Sequence, residues 1–273
     1  MKKFWRDPRA VLGTLVVLLV VIAAVFAEQI APYDPLEMSS ERLAPPSVEH
    51  LFGTDYMGRD VFSRVVYGAR ISLYVGIVAV ALGAVVGVAL GLAAGYWGGR
   101  VEQVIMRGID VLLAFPLILL AILILAFFGQ NLTNVLVSVA ISRVPNFARL
   151  THGLVVGLRQ KEFLDAGRAI GAGDARLMVR YVLVNIAPSL IVYSTFSIPF
   201  AILLEAGLSF LGLGVQPPTP TWGSIISQGK DVLFQAPWIA NIAGGVIMIT
   251  VLAFNLLGEV LGDRLDPRAN VRV

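Results

Sequence analysis

The sequence predicts an all-α protein that crosses a membrane six times, and three observations carry that prediction. Of its 273 residues, 57% are hydrophobic and 14% charged, with a mean hydropathy of +0.81, far outside the usage of soluble globular domains. The apolar residues fall in blocks close to the ~20 that a helix needs to cross a bilayer, divided by polar or glycine-rich breaks. The cationic residues are also unevenly spread. Counting six spans from a cytoplasmic N-terminus, only Arg42, Arg59, Arg64, Arg70 and Lys230 of the 21 Lys and Arg residues fall outside. That bias follows the positive-inside rule and puts both termini in the cytoplasm of a multi-pass cell-membrane protein.

The first block, Ala10 to Ala27, follows Lys2, Lys3, Arg6 and Arg9 and exceeds the ~7–15 residues of a signal-peptide core, so it reads as a retained first span. Ala31-Pro32-Tyr33-Asp34-Pro35 stops it, and the polar stretch to Glu49 has no periodicity. From Leu51, the residues Met57, Val61, Phe62, Val65 and Val66 share one helical face and predict an interfacial amphipathic helix ahead of the second span. This N-terminal region, 1–70, precedes a core over 71–262 and a tail over 263–273.

The second span, Ile71 to Gly99, has no charged residue and places Gly83, Gly87, Gly91 and Gly95 four apart. Such a ridge lets another helix approach at backbone level, without saying which one. The third span, Val101 to Phe128, carries Asp110 and Pro116; the fourth, Leu132 to Arg149, carries Arg143 and Pro145; the fifth, Leu190 to Leu211, carries Glu205; the sixth runs from Trp238 to Leu257. Charges at such depth are costly enough to count as functional candidates. Asp110 and Arg143 are expected to pair between the third and fourth spans, in competition with Arg143 reaching the headgroups or Asp110 pairing with Arg107. Glu205 reads either as a pathway residue or as a helix-packing hydrogen bond. Asn255, Ser194, Thr195 and Ser197 are similarly open between transport and helix-to-helix hydrogen bonding.

Between the fourth and fifth spans, 161–189 carries Lys161, Glu162, Asp165, Arg168, Asp174, Arg176 and Arg180. Phe163, Leu164, Ala166, Ala169 and Ile170 fall at helical spacing, and Gly171-Ala172-Gly173-Asp174 then breaks the pattern. Asp174 is suited to cap a second short helix through Arg180 and Tyr181.

Several enzyme classes are excluded. The absence of cysteine removes disulfides, thiol catalysis and thiolate metal sites. His50 and His152 are too far apart in sequence and context to suggest a metal site, and His152 reads as an interfacial residue. No phosphate-binding G-x-x-x-x-G-K-[ST] run exists, since Lys230 follows Gly229 but precedes Asp231. The chain is therefore not expected to be an enzyme, to bind a cofactor or to meet nucleic acid, and its surroundings are the lipid bilayer.

The 161–189 interval resembles the EAA loop of ABC importer permeases, which docks on the ATPase subunit. The E-A-A and following Gly are matched by Asp165, Ala166, Gly167 and Gly171, with Asp and Gly standing at 165 and 167. The Gly-Ala-x-Asp turn and x-Leu-Pro-Asn end of the peptide branch are matched by Gly171-Ala172-Gly173-Asp174 and by Val182-Leu183-Val184-Asn185, with Val in place of Pro. The run from Glu205 to Gly223, EAGLSFLGLGVQPPTPTWG, closely resembles the C-type permease subunit of dipeptide, oligopeptide and nickel importers. The stretch from Leu51 and the terminus from Asn255 to Arg268 share that subfamily's cadence. The resemblance implies a type I ABC importer permease fold and alternating access for peptides or a related solute. It also implies a second, homologous permease, two ATPases that bind the ATP and Mg, and an external binding protein. Glu162, Asp165, Ala166, Gly167, Arg168, Gly171, Ala172, Asp174 and Arg176 are its implied coupling residues. The other reading is a stand-alone secondary transporter or channel, which builds its ion site at the bilayer midplane; here only Asp110, Arg143 and Glu205 lie inside spans.

Overall fold

The computed structural model describes residues 7–265; Lys2, Lys3, Arg6, Arg268 and Arg272, which enter the charge count, lie outside the described residues. Helix α1 (Pro8–Val25) is capped by Asp7, whose carboxylate accepts from the Arg9 backbone N–H, with Pro8 in the first turn. A short α2 (Ala27–Ile30) follows, and residues 31–60 are irregular.

The predicted interfacial helix does not form separately. Gly53 and Gly58 take positive φ, 72° and 78°, and turn the chain. Asp60 then caps α3 (Val61–Trp97) by accepting from Ser63 N–H, so the apolar face around Val61 and Val65 is the first part of a single 37-residue helix.

The third predicted span is broken. Helices α4 (Gly99–Leu113) and α5 (Leu117–Phe128) meet at 87°, with Pro116 at the N-cap of α5, where it has no N–H to continue the helix. Helix α6 (Leu132–Arg159) runs ten residues beyond the predicted end at Arg149. After α7 (Glu162–Ala169), α8 (Asp174–Arg176) continues through a π-helical stretch, Leu177–Leu183, into α9 (Val184–Phe210) without a break. The expected second short helix is thus the beginning of the fifth span. Helix α10 (Trp222–Lys230) and α11 (Pro237–Leu265) complete the fold, α11 outrunning the predicted sixth span at both ends.

The glycine ridge of α3 meets α6. An added Cβ at Gly83 would lie 2.7 Å from Arg143 Cβ, at Gly87 2.6 Å from Phe147 Cβ, and at Gly95 2.8 Å from Val155 Cβ; at Gly91 it would strike the Ala148 carbonyl. The partner numbers rise together, so the two helices run parallel. Val135 and Val139, near the start of α6, pack with Val75 and Ala79, roughly 27–33 Å back along α3 from its end at Trp97. The chain between them must cover that distance, and α4 with α5 does so. Among the described residues, four helices are long and apolar enough to cross a membrane alone and the bent pair makes a fifth. Helix α6, lying along α3, is the sixth crossing, although its own charges lower its hydropathy.

Those charges are arranged differently from expectation. Asp110 pairs with Arg149 at 2.7 Å, neither with Arg143 nor with Arg107. The bend after α4 and the extra length of α6 bring Arg149 to Asp110, whereas Arg143, six residues back, is wedged against Gly83 and only 8% exposed. Its Nε approaches Ser142 Oγ at 3.4 Å. His152 and Glu102, 2.8 Å apart, make a second tie between α6 and α4. Ser194, Thr195 and Ser197 are not helix-to-helix links, since their hydroxyls donate to the carbonyls of Leu190, Ile191 and Tyr193 on their own helix. Asn255 is half-buried on α11, in a groove of about 540 Å³ beside Leu12, Phe196 and Glu259.

Gly91→Val is expected to cost the fold several kcal/mol, at or above the ~1–3 kcal/mol of ordinary overpacking, because the obstructing atoms are backbone. Thermal unfolding of the detergent-solubilised chain checks it, with Gly108→Ala, whose Cβ meets nothing within 4 Å, as the harmless comparison. Asp110→Arg and Arg149→Asp should each lower that midpoint and the double exchange restore most of it; an additive double variant would show that the two side chains do not interact.

Candidate coupling interface

The polar interval between α6 and α9 folds as two limbs joined at Gly171. Helix α7 ends in a Schellman arrangement: Ala172 N–H donates to Gly167 O at 3.1 Å, and Gly171 N–H to Arg168 O at 2.9 Å. Gly171 stands at φ +82°, the left-handed conformation that such a turn requires. Leu177 N–H then bonds to Gly173 O at 3.0 Å and opens the second limb. Asp174 is not the cap; Gly173 is, and Asp174 is the first helical residue, its carboxylate accepting from the Tyr96 hydroxyl at 2.7 Å.

The inner side of the interval is apolar and anchored. Leu164 and Leu177 are fully buried with Tyr96, Val155, Val182 and Ile186, drawing together the ends of α3 and α6 and the start of the fifth span. Gly167 belongs to this inner side, because an added Cβ would stand 2.7 Å from Leu177 Cδ2. The outer side presents Glu162, Asp165, Ala166, Arg168, Gly171, Asp174 and Arg176 to solvent, with Ala172 half-buried. Arg168 pairs with Asp165 at 2.8 Å; proximity to the Tyr96 hydroxyl and then to Asp165 holds its pKa above the ordinary arginine value. Among these charges sit two large apolar side chains, Ile170 at 78% and Val179 at 60% exposure. A charged surface with an apolar knob on a short stiff turn is suited to a protein groove.

Two participants carry no local signal in the sequence. Tyr96 lies in the uncharged second span, and Leu177 is one leucine among many; only packing brings them to the loop. Ile170 is legible as helical spacing, yet its exposure follows from the turn at Gly171.

At the opposite end of α3 and α9, Glu205 is fully buried. It accepts from Ser209 Oγ at 2.7 Å and Ser72 Oγ at 3.3 Å, and Ser72 Oγ in turn accepts from Trp222 N–H at 3.2 Å. Thr221 and Ser224 form a capping box at the start of α10. This network joins α3, α9 and α10, using the residues of the Glu205 to Gly223 run.

Residues 87–271 match the family model of the binding-protein-dependent transport system inner membrane component, and residues 1–46 that of the N-terminal TM domain of oligopeptide transport permease C. The chain is 45% identical over 269 residues to the glutathione transport system permease protein GsiD of Escherichia coli O6:K15:H31 (strain 536 / UPEC), covering 98% of this chain and 89% of that one. The GsiD proteins of Shigella boydii serotype 4 and Shigella sonnei match to the same extent. Among solved structures, an inward-facing conformation of the MetNI methionine ABC transporter aligns with a TM-score of 0.61 and 19% identity, over 74% of this chain and 96% of that one, a likeness of fold. On the family model and the near full-length relatives, this chain belongs to the family of inner membrane components of binding-protein-dependent transport systems.

Proposed function

We propose that this permease subunit moves a small peptide or peptide-like solute into the cytoplasm by alternating access, driven by ATPases on separate chains. The observation that carries the reading is the interval from Glu162 to Arg176: a charged outer face with the Ile170 knob, held on an apolar inner face that reaches α3, α6 and α9. Glu162, Asp165, Ala166, Arg168, Gly171, Ala172, Asp174 and Arg176 would meet the ATPase, and Gly167 would seat α7 from behind. The ATPases would bind the ATP and Mg, and a second, homologous permease and an external binding protein would complete the transporter. The similarity to glutathione permeases supports a peptide-like solute, glutathione being a tripeptide by chemistry. ATP-driven closure would displace α7, and the Leu164–Leu177 cluster would pass the motion to the spanning helices. In this reading Glu205 is a packing residue, while Asp110 and Arg149 hold the bent third span against α6.

A strained turn should uncouple the subunit. Gly171→Val forces a β-branched residue into the left-handed region at a cost of about 1–2 kcal/mol, with open space around its Cβ, so the strain is confined to the backbone. The variant is expected to stay in the membrane and lose about tenfold in solute uptake, while Gly171→Asn, which tolerates that conformation, loses less. Normal uptake by the valine variant refutes the turn's role. Co-purification with ATPase chains separates this reading from a transporter that works alone.

Orientation follows the charge bias: the Glu162–Arg176 interval and both termini would be cytoplasmic. A reporter inserted near Ser47 should be accessible from outside and one fused after Arg268 only from inside. If both are found on one side, the six-crossing topology is wrong.

A further inference from the structure

Tyr96 closes the last turn of α3 and is 5% exposed, its ring packed among Val155, Leu164, Leu177 and Val182. Its hydroxyl reaches out of that apolar cluster and donates to Asp174 Oδ1 at 2.7 Å, linking positions 78 apart. Asp174 begins the helix that runs on into the fifth span, where a carboxylate is favoured by the helix dipole. Leu164 of α7 packs in the same cluster as the Tyr96 ring. One phenol thus faces both limbs of the turn around Gly171.

Beside that bond, Tyr96 meets the interval through the apolar cluster with Leu164, Leu177 and Val182. Apolar contacts are non-directional, so they fix the register of two surfaces less sharply than a directional bond does. A short hydrogen bond to a charged acceptor is directional and sets the register of the surfaces it joins. Helix α3 is itself locked to α6 along Gly83, Gly87, Gly91 and Gly95. A tie at Tyr96 therefore holds the interval to two spanning helices, while Asp174 is covalently part of a third.

We infer that Tyr96 is a positioning residue for energy coupling: its hydrogen bond to Asp174 makes α3 and α6 move with the interval when the ATPases displace it. The inference rests on the ATPase-docking reading above. With the bond in place, displacement of α7 and α8 carries α3, α6 and α9 together. Without it, the interval can slip over the end of α3, and part of the ATPase stroke is spent on that slip.

The test uses the whole transporter, with its permease partner, ATPases and binding protein, reconstituted in vesicles and supplied with glutathione or trialanine as probe. The readout is probe moved per ATP hydrolysed, with the ATPases retained on the permease quantified in the same preparation. Tyr96→Phe keeps the ring and removes only the donor, and is expected to lower the ratio about fivefold with the ATPases still bound. Asp174→Ala should lower the ratio similarly, and the Tyr96→Phe/Asp174→Ala double variant should be no worse than either single one. An unchanged ratio in Tyr96→Phe, or losses that multiply in the double variant, would overturn the inference. If the unaltered chain retains no ATPases, the docking reading itself fails; ATPases retained together with an unaffected Tyr96→Phe ratio remove only the tie.

Discussion

The fold depends on the close approach of α3 and α6. In lipid there is little hydrophobic driving force between helices, so they associate through van der Waals packing at short range. Four glycines at a spacing of four leave a groove on α3 with no Cβ, and the Cβ atoms and carbonyls of α6 from Ala140 to Val155 fill it. The glycines have no other use at these sites, since none of the four has the positive φ seen at Gly98, Gly99 and Gly171. They are there for proximity.

This pairing governs what lies between the two helices. Because α3 and α6 run parallel, the chain must return across the membrane within the 34 residues from 98 to 131, and it does so as two helices bent by 87°. The bend sends the amphipathic α4 along the charged part of α6. There Ile109 packs with Val144 and Ala148, while Glu102 and Asp110 meet His152 and Arg149. Two of the polar side chains that lower the hydropathy of α6, Arg149 and His152, are the ones that hold α4 to it. Arg149 and Asp110 remain about half exposed, so this pair is a modest contributor to stability.

The interval from Glu162 to Arg176 is assembled from parts of different character. Its turn is local chemistry, set by Gly171 and the capping hydrogen bonds around it. Its anchorage is long-range, through Leu164 and Leu177 packed on Tyr96 and Val155. Its outer face is left to solvent, so charges and an exposed isoleucine stand together on one short element. An element firm behind and unpartnered in front is able to receive force from another chain and pass it to the spanning helices. The continuous helix from Asp174 to Phe210 strengthens that link, as no flexible joint separates the interval from the fifth span.

The sequence by itself determined the class, the membrane character, the glycine ridge and the turn at Gly171. These rest on composition and on residues whose conformational or packing demands are intrinsic: glycine at short spacing, glycine after a short amphipathic helix, long uncharged runs. It also marked Asp110, Arg143 and Glu205 as charges inside predicted spans that need explaining. The tertiary structure decided what each of them meets. Arg149 rather than Arg143 pairs with Asp110, because a bend at Pro116 and ten further residues of α6 change the level at which the two helices face each other. Tyr96 meets the interval from Glu162 to Arg176 because the end of α3 is carried there by its contact with α6. Helix breaks and lengths depend on packing energies summed over distant residues, and a change of one turn shifts every side chain by about 5 Å along the axis. Such partnerships are a property of register between elements, which no single stretch of sequence encodes.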